Sequence, residues 1–314
     1  MSEQIADNRS SQFAPHIALI AVQIFFGTWP LIGKFALRAL PSTGLVALRV
    51  GGAALAFALL GRIIKQNQIT RSSDYARLAL YSLLGVVLNQ FLFVKGLALS
   101  TVINATILSA AIPAFALAVS VVFGYERLSR RKIIGIVLAA AGVVYLVDPL
   151  RADFSGDTTL GNFLLVFNAL AYGAYIAISK DMVERYGALT VITWIFLFAS
   201  LVAVPVGGYH LAQVDLAAVR RDVWFSVAYI ILVPTVAAYY LNALALSRVQ
   251  PSTVAAYIYL QPLIAFALSP LLLGEELNSR ALIATILIFT GVAISTRRKT
   301  AAATQSGNDA NQMI

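Results

Sequence analysis

Polar side chains interrupt the long apolar stretches of this sequence, and nearly all are of one chemical kind. Gln23, Thr28 and Trp29, then Asn89 and Gln90, Asn168 and Tyr172, Thr235, Tyr239 and Tyr240, and finally Tyr257 and Gln261 are amides, hydroxyls or aromatic rings. Such groups exchange hydrogen bonds and offer ring faces, but they do not shuttle protons near neutral pH. The 14 acidic residues fall in loops, tails or the ends of apolar segments, His16 and His210 are peripheral, and there is no cysteine. No nucleophile with its base and no metal cluster is evident at depth, which counts against an intramembrane enzyme, and the lack of a phosphate-cradling glycine loop argues that the protein is not itself an ATPase. No cofactor or metal is expected. What remains is reversible binding. Large rings beside amides suit an amphipathic or aromatic small molecule with a few polar handles. The alternative for any one residue is a hydrogen bond between helices, worth about 1 kcal/mol.

The elements that position these groups follow from composition. The chain is 60% hydrophobic and 12% charged, too apolar to cover a soluble core with a polar shell. A span needs about 20 mostly apolar residues to cross the hydrocarbon. Ten segments qualify: 17–37, 43–61, 78–99, 102–123, 131–147, 159–179, 189–209, 223–246, 251–273 and 281–296. Their length and lack of alternation exclude strands, so the fold class is an all-α polytopic membrane protein with ten transmembrane helices. Residues 1–16 are polar and read as a cytoplasmic tail rather than a basic secretory signal, and 298–314 as a second cytoplasmic tail.

Charge sets the orientation. With both termini cytoplasmic, 15 of the 23 Lys and Arg residues lie inside, five lie outside (Arg38, Arg151, Arg220, Arg221 and Arg280), and three lie within spans. This bias is the positive-inside signature of a multi-pass inner-membrane protein, and it explains the net charge of +9 without a nucleic-acid partner. The partners expected are the lipid bilayer and a small-molecule substrate, with the chain a monomer or weak homodimer. Tyr186 and Tyr209 read as interfacial belt residues.

The segment 110–129 is repeated at 259–278 with a constant offset of 149: Pro113 matches Pro262, Ser120 matches Ser269 and Glu126 matches Glu275. "LALS" at 97–100 recurs at 244–247, and Gly27 with Lys34 matches Gly173 with Lys180. Residues 17–150 and 158–297 are thus two five-helix repeats. Five is odd, so the second copy enters the membrane inverted, and the four basic residues in Arg127–Lys132 are reduced to Arg280 in the copy. Inverted repeats build alternating-access carriers with the substrate between the halves near the midplane.

The paired Pro-to-Glu layout, the stretch "GTWPLIGKFAL" followed by Arg49, and "NQFLFVKGLALSTVINATILSAAIPAF" resemble the EamA-type drug/metabolite transporter superfamily, its plant-like ten-helix members included. The resemblance implies two bundles around a central cavity lined by helices one, three, four, six, eight and nine, with helices five and ten at the edge. It does not name a solute. The candidate substrate-binding residues are Gln23, Thr28, Trp29, Asn89, Gln90, Lys95, Asn168, Tyr172, Tyr239, Tyr240 and Gln261. Pro113 and Pro262, each removing a backbone hydrogen bond within a span, are the candidate gating pair. Lys34 is expected to snorkel to the outer surface or to backbone carbonyls. Arg49 and Lys95 lie deeper and would make an outer vestibule attractive to a carboxylate, while Glu126 and Glu275 would fix turns. The absence of a carboxylate at depth leaves no proton relay, which favours facilitated diffusion or an unconventional antiport.

The chain has no native cysteine, so single-cysteine labelling tests this topology. A cysteine replacing Ser155 should react only from outside the cell, and tags on both termini should be reachable only from the cytoplasm. Labelling of that cysteine from the inside alone would sink the inverted arrangement.

Overall fold

In hydrocarbon every main-chain N–H and C=O must find its partner within the protein, and a helix does so within its own segment. The computed structural model describes residues 2–64, 66–100, 102–147, 156–261, 263–264 and 279–296, and every regular element among them is helical. In chain order, α1 is Ser2–Ala36, α2 is Ser42–Ile63 and α3 is Ser72–Leu99. α4 comes in two pieces, Val102–Ser109 and Ile112–Val122, and is followed by α5, Arg130–Val147. The second half holds α6 (Gly156–Tyr186), α7 (Ala188–Leu211) and α8 (Arg221–Leu246). Its α9 begins as Pro251–Ala256 and tightens to a 3₁₀ turn at Tyr257–Tyr259, and α10 is Ser279–Thr296. Among the described residues, α1, α2, α3, α6, α7 and α8 each hold a stretch long and apolar enough to cross a bilayer. The fold is an all-helical, ten-segment membrane fold of two inverted five-helix halves.

Several ends differ from the sequence reading. α1 starts at Ser2, ahead of its apolar part, Phe13–Ala36. The Glu, Gln, Ala and Arg residues there continue a helix readily outside the lipid. α6 runs on to Tyr186, and a single residue, Gly187, turns the chain into α7. Its φ of 82° lies in the left-handed region that glycine adopts without steric cost. The fourth helix is broken at Ala110–Ala111, just before Pro113. The proline ring collides with the carbonyl four residues back and restricts the residue ahead of it, so the second piece starts afresh with Pro113 in its first turn. Pro262 and Glu275 lie outside the described residues.

The halves interlock. α1 packs on α8 and α3 on α6, two contacts related by the repeat, while α2 packs on its own counterpart α7 and α5 on α10. Glycines allow the closest of these approaches. A Cβ on Gly207 of α7 would lie 2.2 Å from the Thr43 carbonyl oxygen and 2.4 Å from the Ala47 Cβ. Gly135 of α5 and Gly291 of α10 face each other, each leaving 2.6–2.7 Å between a would-be Cβ and the other's carbonyl. Small residues at such crossings let backbones meet where no hydrophobic force between helices is available. Large apolar side chains such as Phe163, Phe167, Leu201, Phe225, Ile286 and Phe289 point outward, as suits a lipid-facing surface.

The repeat is visible in chemistry as well as shape. Lys34 donates to the carbonyls of Leu97 and Ser100 at the end of α3, at 2.7 and 2.8 Å. Lys180 donates to those of Leu246 and Val249 at the end of α8, both at 2.9 Å. Each lysine satisfies orphan carbonyls of a helix C-terminus and meets the negative end of its dipole. The carbonyl pairs correspond at the 149-residue offset, so the matching "LALS" tetrapeptides lie two residues out of the structural register.

On the face carrying the connections after α2, α4, α6 and α8, hereafter the basic face, side chains tie the halves together. Glu126 accepts from the Ser252 amide at 2.9 Å, from the Ser252 hydroxyl at 2.6 Å and from Lys132. Asp74 accepts from Tyr186 at 2.7 Å and pairs with Arg185, and Arg77 pairs with Asp181 at 2.5 Å. Tyr186 is thus buried in this network and is no interfacial belt residue, since its hydroxyl serves a carboxylate rather than water. Tyr209 is exposed.

The glycine contact between α2 and α7 has a direct check. Gly207→Ala should lower stability by about 1–3 kcal/mol through overpacking against backbone. Its neighbour Gly208 has open space around it, so Gly208→Ala should move stability by less than about 0.5 kcal/mol. Thermal unfolding of the two variants in detergent reads the difference, and equal midpoints would show that α2 and α7 are not packed through Gly207.

Candidate functional site

Two irregular turns build the centre of the molecule. α3 widens to a π turn at Leu83–Leu88 and α8 at Leu232–Ala237, again at the 149-residue offset. In α8 the cause is Pro234, which has no N–H for the Ile230 carbonyl four residues back. The Thr235 hydroxyl takes that carbonyl instead, at 2.7 Å. The counterpart of Pro234 in α3 is Gly85, and a Cβ there would lie 2.5 Å from the Tyr175 ring. Helix irregularities of this kind turn main-chain carbonyls and the next side chains toward the interior.

The next side chains are Asn89 and Gln90 on α3 and Tyr239 on α8. Gln90 Nε2 donates to the Tyr239 hydroxyl at 2.7 Å, and these residues hold equivalent places in the two halves. The bond therefore crosses the approximate two-fold axis. The Tyr239 hydroxyl faces two acceptors, Asn89 Oδ1 at 3.0 Å and the Gly85 carbonyl at 3.2 Å. Asn168 of α6 donates to the Asn89 carbonyl at 2.8 Å. Behind Tyr239 the rings of Phe26, Tyr172 and Phe196 meet it edge to face.

Arg49 of α2 enters this cluster fully buried. Its Nε donates to Thr235 Oγ1 at 2.5 Å, Nη1 to Gln90 Oε1 at 2.6 Å and Nη2 to the Pro234 carbonyl at 3.0 Å. One face of the guanidinium lies 4.2 Å from the centre of the Trp29 ring, a cation–π contact. Trp29 in turn stacks on Phe93. Among the described residues, every group holding Arg49 is neutral.

A central cavity opens among these residues. Trp29 of α1, Asn89 and Gln90 of α3, Asn168 and Tyr172 of α6, Tyr239 of α8 and Gln261 of α9 all line it. Ser109 and Ile112 line it at the break in α4. The six helices expected at the cavity are there, joined by α2 through Arg49. The other candidates stand elsewhere. Gln23 is buried one layer back, accepting from Gln261 Nε2 at 2.8 Å. Thr28 turns away to the Phe25 carbonyl and the Tyr229 hydroxyl, at 2.9 and 2.7 Å. Tyr240 is half-buried and off the cavity, and Lys95 is exposed on the outside of α3. Lys95 has a long stem and a strongly hydrated head, so it reaches outward rather than into a closed space. Pro113 is buried beside the cavity-lining break. Sequence reasoning placed Arg49 in an outer vestibule; it belongs to the cavity, and the available signal was a lone cation between apolar residues of one span.

A bundle of two inverted five-helix halves around a central cavity lined, among the described residues, by amides, rings and one guanidinium is the architecture of a membrane carrier. The model of the EamA-like transporter family matches residues 14–147 and again 159–297, and the chain belongs to that family. An uncharacterized transporter of Bacillus subtilis, YetK, is 24% identical over 92% of this chain and 88% of its own. A WAT1-related protein of Arabidopsis thaliana is 21% identical over 88% of this chain and 84% of its own. A probable amino-acid metabolite efflux pump of Salmonella typhimurium is 27% identical over 54% of this chain and 59% of its own. A solved crystal structure superposes with a TM-score of 0.75 at 18% identity, covering 90% of this chain and 98% of that one, a likeness of fold.

The central hydroxyl can be removed alone. Tyr239→Phe leaves the Gly85 carbonyl and the Gln90 amide short of a partner in a buried site, which should cost about 1–3 kcal/mol of stability. Tyr240→Phe, off the cavity, should cost little. A thermal midpoint for Tyr239→Phe no lower than that of Tyr240→Phe would show that the axial hydrogen bonds do not hold α3 to α8.

Proposed function

We propose that this transporter is a secondary carrier exporting a small metabolite, such as a neutral or aromatic amino acid, by alternating access across the inner membrane, with both termini cytoplasmic. The observation that carries the reading is the cavity itself: neutral amides and aromatic rings, contributed by both halves, meet around one approximate two-fold axis. A solute bound there touches both halves at once, so rocking them can expose it to either side. The cross-half ties of Glu126 and Asp74 on the basic face support the same reading, since such ties can close one side while the other opens. The amino-acid class rests on the mixture of amides and ring faces, together with the name of one relative. In this scheme Gln261, Asn89 and Gln90 meet the polar group of the solute, and Pro113 and Pro262 lie at the moving joints.

Counterflow in proteoliposomes tests the solute class. With amino acids, purines, sugars and aromatic amines offered in parallel, neutral or aromatic amino acids should exchange. Exchange of purines, sugars or amphipathic amines without amino acids would replace the substrate and keep the carrier. No flux of any solute through well-folded protein would favour a receptor or assembly factor on the same scaffold. Gln261→Leu should express and fold nearly normally, because leucine is well accepted in a span, while exchange falls and selectivity shifts. Unchanged exchange would remove Gln261 from the site.

A further inference from the structure

We infer that the ligand of the central cavity carries a single carboxylate and that Arg49 is its anchor, an assignment that rests on the carrier reading above for the ligand's being a transported solute. The argument begins with charge. Arg49 is 2% exposed, and a guanidinium so placed retains its charge only if the surroundings compensate it. Among the described residues no carboxylate pairs with it, and no Asp or Glu lines the cavity. The sequence itself has no acid within the middle of any span to supply one. Thr235, Gln90 and Pro234 supply dipoles, and Trp29 a ring face, but the net positive charge stands.

Bracing alone does not explain it. The three acceptors that Arg49 holds are neutral, and an uncharged amide donor could hold one or two of them without burying a cation. Of the five N–H groups of a guanidinium, three are engaged here, one each from Nε, Nη1 and Nη2. The two remaining hydrogens, one on each terminal nitrogen, match the two oxygens of a carboxylate. The side chain is already fixed by its three bonds and by Trp29, so little ordering remains to be done when a ligand arrives.

The number of charges follows from the other cations. Lys34 is committed to the carbonyls of Leu97 and Ser100, and Lys95 faces outward. One cation at the cavity matches one negative charge, which disfavours phosphate esters and dicarboxylates. Besides its amides, the lining includes Phe26, Phe93, Ile112 and Ile258, apolar surface that suits a hydrophobic body attached to the carboxylate.

Two pairs of probes that differ only at the carboxyl group test the assignment: benzoate against benzamide, and phenylalanine against phenylalaninamide. Calorimetric titration into detergent-purified protein should show the acid binding at least about tenfold more tightly than its amide in one or both pairs, the scale expected of hydrogen bonds to a charged group. Arg49→Gln should bring that ratio close to one, and Arg49→Lys should keep part of it. Amides that bind as tightly as acids in both pairs, acids that fail to bind at all, or a ratio unchanged in Arg49→Gln would each overturn the anchor. The wild-type comparison stands even if the glutamine variant misfolds. The two readings fail separately: flux of a neutral solute with no carboxylate preference removes the anchor and keeps the carrier, whereas carboxylate binding without flux does the reverse.

Discussion

A main-chain carbonyl left without a donor in hydrocarbon costs several kcal/mol, and the centre of this protein is organised by that constraint. The π turns of α3 and α8 displace carbonyls from their helical partners at equivalent places in the two halves. Thr235 meets the Ile230 carbonyl within its own helix, and two further carbonyls are met from other helices. Tyr239 reaches the Gly85 carbonyl across the axis, and Arg49 reaches that of Pro234, its counterpart. Satisfying the backbone therefore brings a phenol and a guanidinium to the middle of the membrane. Gln90, bonded to both, joins them into one network. Tyr239 and Arg49, which meet these carbonyls, also line the cavity.

The two halves solve the same problem with different residues, and the difference is where specificity can arise. Where the halves agree, as with Lys34 and Lys180 on helix-end carbonyls, the shared feature stabilises each bundle separately. Where they disagree, the disagreement concentrates at the cavity. Gly85 corresponds to Pro234, Gln90 corresponds to Tyr239, and Arg49 of α2 has no basic counterpart in α7. A fully symmetric cavity would offer a solute the same groups twice. This one carries a guanidinium from the first half, set against Trp29 and Gln90, with no basic counterpart from the second, so the two halves offer different groups.

Much of this was legible in the sequence. Hydropathy counts spans because the bilayer accepts few other structures, and the Pro113 and Glu126 repeat marked the duplication. Seven of the residues marked by their polarity at depth (Trp29, Asn89, Gln90, Asn168, Tyr172, Tyr239 and Gln261) do line one cavity. The misses have physical reasons. Depth along a helix is readable from spacing, but azimuth is not, because every face of these spans is apolar. Thr28 and Tyr240 lie at the right depth and point the wrong way. Lys95 and Arg49 looked alike as cations within a span, and only packing distinguishes a lysine reaching outward from an arginine held between Trp29, Gln90 and Thr235. The π turns were also hidden: Pro234 signalled a broken bond, but nothing marked its partner Gly85.

The remaining ties separate into two kinds, and the separation bears on motion. Lys34 joins α1 to α3 and Lys180 joins α6 to α8, so both act within a half and are indifferent to any rotation of one half against the other. Glu126 with Ser252 and Asp74 with Arg185 and Tyr186 join elements of different halves. Glu126, Ser252, Asp74 and Tyr186 are all buried, so parting these contacts leaves buried polar groups without partners until water reaches them. The bond between Gln90 and Tyr239 also joins the halves, and it does so at the cavity lining. Any displacement of one half against the other therefore acts on the cross-half contacts and leaves the lysine contacts within each half intact.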